Sequence, residues 1–141
     1  RLTSRSQVIK EQLTQAALEE EDHLAWCASR LKELNARPSF LNPIWYGGSF
    51  MLGVVAGLSG DRWSLGFVAE TEKQVTKHLD GHLQTLPEGD LASRAIVEQM
   101  RTEESRHQEM AIEAGAATLP KVAQQGMQIA SRLMTKTAYY V

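Results

Sequence analysis

Residues 18–26 read "LEEEDHLAW", and this stretch decides the fold because one of its acids interrupts an otherwise apolar helical series. Positions three or four residues apart share one face of a helix. The series through Glu20 consists of Leu13, Ala17, Glu20, Leu24, Cys27, Leu31 and Leu34. An ionised carboxylate in a core is costly unless it is paired or bound to a metal. Glu20 is therefore predicted to face inward as part of a polar or metal-binding site.

Two other predicted helices carry the same kind of interruption. The series on the third helix is Leu65, Val68, Glu72, Val75, Leu79, His82 and Leu86. The series on the fourth helix is Val97, Met100, Glu104, His107, Ala111 and Ala114. Each of the three series has a glutamate near its middle. This favours one shared site over three glutamates that fall on inward faces by chance. Glu21, Glu98 and Glu103 are expected to be ordinary surface acids.

The chain as a whole follows helical periodicity, and alternating strand patterns are not sustained. Five helices are predicted, at about residues 4–34, 41–58, 62–86, 91–114 and 118–136. Asp61 is the predicted N-cap of the third helix. The short connections favour antiparallel neighbours. Residues 1–141 are therefore predicted to form one all-α domain, an antiparallel helix bundle.

A Glu-x-x-His spacing occurs twice, as Glu20 with His23 and as Glu104 with His107. Residues at i and i+3 lie on the same side of a helix, so the two side chains can hold one ion. Ferritin-like di-iron proteins use a glutamate from each of two helices and Glu-x-x-His from each of the other two. The chain supplies Glu-x-x-His, then Glu72, then Glu-x-x-His again. The sixth ligand is expected on a helix before Arg1, because Glu11 is about 13 Å along the helix from Glu20.

Composition narrows the chemistry. The net charge of −2 gives no sign of a nucleic-acid partner. The single cysteine, Cys27, cannot build an iron–sulfur cluster. Carboxylates and imidazoles suit Fe(II) and Mn(II).

Four segments together resemble the demethoxyubiquinone hydroxylases of ubiquinone biosynthesis, especially the bacterial branch. They read "EEEDHLAW", "RPSFLNPIWYGGSFMLG", "GFVAETEKQVTKHL" and "SRAIVEQMRTEESRH". The resemblance implies a ferritin-like bundle with an extra apolar interfacial helix and a first bundle helix that precedes this sequence. It implies that the metal ligands are Glu20, His23, Glu72, Glu104 and His107, and it adds His78 as a catalytic residue near the metal. Leu79 stands where animal members have a tyrosine, so no tyrosine role is carried over.

The resemblance also implies the reaction. Two iron ions would use O₂ to hydroxylate the ring of a polyprenyl demethoxyubiquinol, with NADH as the electron source. The chain has no GxGxxG fingerprint of a nicotinamide-binding fold. A homo-oligomer or a lipid-binding accessory protein is a further expected partner.

The second predicted helix is apolar on more than one side, with Ile44, Trp45, Tyr46, Phe50, Met51 and Leu52. Aromatic residues at one end of an apolar helix suit a lipid interface. Because a polyprenyl quinol resides in the bilayer, residues 41–58 are expected to bind the membrane surface. The expected location is the cytoplasmic face of the bacterial cell membrane.

Two other functions fit parts of the pattern. A ferritin- or rubrerythrin-like iron-binding or peroxidase protein would share the ligands, although the paired cysteines of rubrerythrin are absent. A metal-free helical interaction protein would leave three inward glutamates unexplained.

Overall fold

The computed structural model describes the backbone of residues 2–141 and the side chains of residues 7–49, 51–55 and 57–141. Its helices are α1 (Leu2–Glu33), α2 (Asn42–Leu58), α3 (Asp61–Thr85), α4 (Leu91–Glu113) and α5 (Lys121–Tyr140). No strand occurs within the described range. The prediction of an all-α, ferritin-like bundle is confirmed. The assignment of residues 1–141 to one domain stays a prediction.

Helices α3 and α4 form the best-packed pair and run antiparallel. Near their turn, Arg94 Nη2 donates to the carbonyl oxygen of Leu83 at 3.1 Å. At the other end of the pair, the Ala117 amide donates to the Arg62 carbonyl oxygen at 2.9 Å. Gly66 makes this approach feasible, because a β-carbon there would overlap the Ala117 carbonyl group. The pair therefore fixes Glu72 and Glu104 on facing surfaces.

Helix α1 packs antiparallel to α4, and a polar clamp holds one end of the contact. Arg30 donates to Asp90 Oδ1 at 2.8 Å and to Ser93 Oγ at 3.0 Å. Asp90 is the N-cap of α4 and accepts from the Ser93 amide. The clamp sets the register that brings residues 19–23 beside residues 103–107.

The predicted inward face of α1 is wrong in its apolar members. Leu13, Leu24 and Leu34 are exposed, with Leu24 and Leu34 more than half exposed at 54% and 51%. The face of α1 that meets α4 is rotated and largely polar, and within it only His23 is fully buried. The prediction failed there because apolar spacing was used to locate a contact face that is largely polar.

Smaller corrections concern the helix ends. Asp61 is the first residue of α3 rather than its N-cap, which is Gly60 with a φ of 95°. Helix α5 continues to Tyr140, beyond the predicted end near residue 136. Helix α2 contacts α3 and leaves most of its apolar side chains exposed, while Phe50 lies outside the described side chains. No helix in the described part of the chain is long and apolar enough to cross a membrane.

Candidate metal centre

Three helices bring four predicted ligands together. Glu20 comes from α1, Glu72 from α3, and Glu104 and His107 from α4. One ligand atom from each of the four lies within 4.8 Å of the others. Glu104 and His107 are buried, whereas the side chain of Glu20 is 47% exposed. The cluster therefore sits in the α1–α3–α4 contact with one side open.

His23 completes the cluster and is only 3% exposed. Its Nδ1 lies 3.2 Å from one oxygen of Glu104 and 3.6 Å from one oxygen of Glu20. The other oxygens of the same two carboxylates lie 3.5 and 3.8 Å from His107 Nδ1. Glu20 and Glu104 thus each span the two imidazoles, with one oxygen toward each ring. Glu20 and Glu104 could therefore each contact an ion held by either ring.

Three atoms in the cluster are buried without a hydrogen-bond partner. They are His23 Nδ1, His107 Nδ1 and Glu104 Oε2. Buried polar atoms normally have hydrogen-bond partners, so three neighbouring atoms without one are explained if they bind an ion. The atoms that point into the cluster are the orphaned ones, and the outer nitrogens of both rings are engaged. The residues therefore fit a metal centre.

The outer nitrogens are held by carboxylates in a crossed pattern. Glu19, beside Glu20, has its Oε2 2.7 Å from His107 Nε2. Glu103, beside Glu104, has its Oε2 2.5 Å from His23 Nε2. Each carboxylate thus presents the Nδ1 of the opposite helix's imidazole to the cluster. Such outer partners fix the tautomer and orientation of a ligating histidine.

Glu103 is therefore not the surface acid that the sequence suggested. Its side chain is 13% exposed, and that of Glu19 is 15% exposed. A signal was present, because both copies read Glu-Glu-x-x-His rather than Glu-x-x-His alone. Glu21 and Glu98, by contrast, are exposed as predicted.

The neighbouring carboxyl groups of Glu72 and Glu104 differ strongly in how readily they ionise. Burial, with the Glu104 carboxylate beside it, raises the pKa of Glu72 to about 10. Burial also opposes ionisation of Glu104, but its close contacts with His107 and Glu72 lower its pKa to about 2. In the metal-free centre at neutral pH, Glu72 is therefore protonated beside an ionised Glu104. Burial and the Glu104 charge also raise the pKa of Glu20.

The acidic residues around His107 change its pKa, and His107 in turn changes the pKa of Glu19. Contact with Glu104, followed by the hydrogen bond to Glu19, raises the pKa of His107. Burial opposes ionisation of Glu19, yet hydrogen bonds from His107, Gln15 and Arg106 lower its pKa. Cations that replaced these protons would relieve the carboxylate repulsion, and carboxylate and imidazole donors suit iron or manganese.

His78 is not brought into this cluster. Its Nε2 lies 2.9 Å from His82 Nε2, on the side of α3 that faces α5. Burial, with a contribution from His82, lowers the pKa of His78. Leu79, the next residue, is buried at 6% exposure as a core residue. A catalytic role for His78 stays a prediction.

Comparison with known proteins adds the family. The family described as ubiquinone biosynthesis protein COQ7 matches residues 1–138. A 3-demethoxyubiquinol 3-hydroxylase of Burkholderia multivorans is 59% identical over 141 residues, which cover all of this chain and 68% of that protein. The protein of the same name from Ralstonia pickettii is 61% identical over 140 residues, or 99% of this chain and 64% of the relative.

A third relative of that name, from Polynucleobacter asymbioticus, is 55% identical over all of this chain and 68% of its own length. The chain thus spans about two thirds of the length of these relatives. No solved structure matches it significantly. The chain belongs to the ubiquinone biosynthesis protein COQ7 family, and these three relatives are enzymes named 3-demethoxyubiquinol 3-hydroxylase.

Proposed function

We propose that the protein is a di-iron monooxygenase that hydroxylates the ring of a demethoxyubiquinol with O₂ in ubiquinone biosynthesis. The observation that carries the proposal is the position of Glu20 and Glu104, which each direct one oxygen toward His23 and the other toward His107. A pair of neighbouring ions would need carboxylates whose two oxygens can each contact a different ion. The names of the relatives supply the substrate class.

In this proposal, Glu20, His23, Glu72, Glu104 and His107 hold the ions. Ferrous ions would supply electrons that activate O₂, so that one oxygen atom enters a ring C–H bond and the other leaves as water. NADH provides the two electrons that the reaction consumes. The hydride of NADH and one solvent proton together account for the two hydrogens of the water that leaves. Glu72 must release its proton to become a ligand, because its carboxyl group is neutral in the metal-free centre.

Glu19 and Glu103 act in this proposal as positioning residues. Their hydrogen bonds to the outer nitrogens leave both imidazoles with Nδ1 directed at the ions. Arg106 steadies Glu19 through a contact of 2.6 Å. The two rings are therefore set before any ion binds, which lowers the cost of assembling the centre.

We also propose that α2 binds the cytoplasmic membrane surface, where a polyprenyl quinol is available. Its exposed apolar side chains include Ile44, Tyr46, Met51 and Leu52, which are 53–63% exposed. No acidic or basic residue occurs within Asn42–Leu58. A charge-free apolar helix with exposed side chains suits insertion at the interface.

The reaction is tested with ¹⁸O₂, NADH and demethoxyubiquinol on the iron-reconstituted protein. Mass spectrometry is expected to find one ¹⁸O atom in each hydroxylated product. Glu104→Ala should give no product while circular dichroism still reports a helical protein. Iron oxidation without product would support iron storage instead, and an oxygen atom derived from water would contradict a monooxygenase.

A further inference from the structure

A second cavity lies between α3 and α5, away from the metal centre. Its volume is about 270 Å³, and its lining includes Lys77, His78, Gln128, Ser131 and Arg132. These residues come from the second half of α3 and the middle of α5. On α3, Glu72 belongs to the metal cluster and Lys77 to this cavity, so the helix serves two separate sites.

The lining of this cavity carries positive charge and no carboxylate. Among the described residues, neither Lys77 nor Arg132 has an acidic group within ion-pair distance. Some other arginines of the chain have such partners, as Arg30 has in Asp90 and Arg106 has in Glu19. Two cations from different helices thus face one cavity without a counter-charge.

The neutral donors of the cavity are also free. No side-chain hydrogen bond engages Gln128 or the Ser131 hydroxyl among the described residues. Gln74, by contrast, is occupied, because its amide donates to Glu70 Oε1 at 2.9 Å. This bond uses Glu70, a buried acid of α3 that lies two turns before Lys77. The cavity therefore offers side-chain donors that no other residue of the described chain engages, and no carboxylate that would repel an anion.

The His78–His82 pair could instead chelate a cation, since the two rings are one turn apart. Lys77 and Arg132 oppose that alternative, because positive charges in the same cavity repel a dication. An oxyanion meets the opposite conditions. Arginine matches phosphate oxygens with two parallel donors, and lysine adds a point charge. We propose that the α3–α5 cavity binds the phosphate group of a small ligand, held by Lys77 and Arg132.

The test measures the affinity of inorganic diphosphate by calorimetry for the protein and two double variants. Lys77→Gln with Arg132→Gln removes the cavity cations. Lys73→Gln with Lys136→Gln removes the same charge from the same helices, at residues outside the cavity lining. We expect at least about a tenfold loss of affinity in the first variant and less than threefold in the second.

An equal loss in both variants would show general charge attraction and overturn the proposal, as would no binding of millimolar diphosphate by the unaltered protein. Competition then identifies the source of the phosphate group. Displacement of diphosphate by ADP assigns the site to soluble nucleotides. Displacement by phosphatidylglycerol vesicles, but not by phosphatidylcholine vesicles, assigns it to a lipid headgroup.

Discussion

Glu103 Oε2 lies 2.5 Å from the outer nitrogen of His23, although the two residues belong to different helices. The same relationship, mirrored, joins Glu19 to His107 at 2.7 Å. Each Glu-Glu-x-x-His segment therefore gives its second glutamate to the cluster and its first to the histidine of the other segment. The crossing ties α1 to α4 at the point where their ligands meet.

Replacing Glu103 should weaken metal binding without removing a ligand. Glu103→Gln keeps the size of the side chain but loses the charge that orients His23, so the affinity for Mn(II) should fall by about 10- to 100-fold. Electron paramagnetic resonance titration of free Mn(II) measures the change. Glu98→Gln, at an exposed position of the same helix, is the control and should leave affinity unchanged. Equal affinities in the two variants would mean that Glu103 positions nothing.

The proton on Glu72 should make the metal-free protein less stable as the pH rises. The folded chain holds this proton up to a pKa of about 10, whereas the ordinary glutamate value is 4.5. A raised pKa contributes stability that is complete below pH 4.5 and is lost as the pH rises toward about 10. This one group contributes a slope of up to about −1.4 kcal/mol per pH unit.

Glu72→Gln should remove that part of the slope, because glutamine stays neutral. Denaturant unfolding in the presence of a chelator at pH 6, 7 and 8 measures the free energy of unfolding. The free energy of unfolding of the variant, relative to that of the unaltered protein, should increase from pH 6 to 7 and again from pH 7 to 8. Glu98→Gln should keep the original slope, and parallel slopes for Glu72→Gln and the unaltered protein would refute the assignment of the proton.

The close approach at Gly66 should make that position intolerant of alanine. The added β-carbon would meet the Ala117 carbonyl group, so Gly66→Ala should cost about 1–3 kcal/mol. Gly81 lies on the same helix with open space around it, and Gly81→Ala should stabilise the helix by about 0.5–1 kcal/mol. Thermal unfolding compares the two variants. A gain in stability at both positions would mean that α3 does not approach the segment after α4 so closely.

Charges on α2 should abolish membrane binding if this helix is the interfacial surface. Met51→Glu with Val55→Glu places two carboxylates one turn apart, at side chains that are 61% and 59% exposed. Flotation with neutral vesicles should show about a tenfold loss of the bound fraction. The control is Leu91→Glu with Ile112→Glu on α4, where the side chains are 71% and 56% exposed. Similar losses in both variants would exclude a specific role for α2.

The sequence predicted most of the α3 and α4 faces because their apolar series interlock, although His82 of the α3 series is exposed. Leu65, Leu79 and Ala111 are buried as expected, and they carry Glu72 and Glu104 inward with them. On α1 the same reasoning failed for Leu13 and Leu24. Its contact with α4 is made by polar side chains, and hydrophobic spacing cannot locate a polar contact face.

Residue spacing also could not predict which side chains of different helices contact one another. A helical pattern states which residues share a face, so Glu20 and His23 could be paired from the sequence. It does not state that Glu103 reaches a histidine on another helix. His78 could likewise be placed on α3 but not in a site, and the structure puts it toward α5.

The most direct test of the di-iron account is the number of ferrous ions bound per chain. Anaerobic equilibrium dialysis against Fe(II) should reach two ions per chain, because Glu20 and Glu104 each have one oxygen for each histidine. His23→Ala should bind fewer, since one ion loses its imidazole. Saturation of the unaltered protein at one ion or fewer would contradict the account.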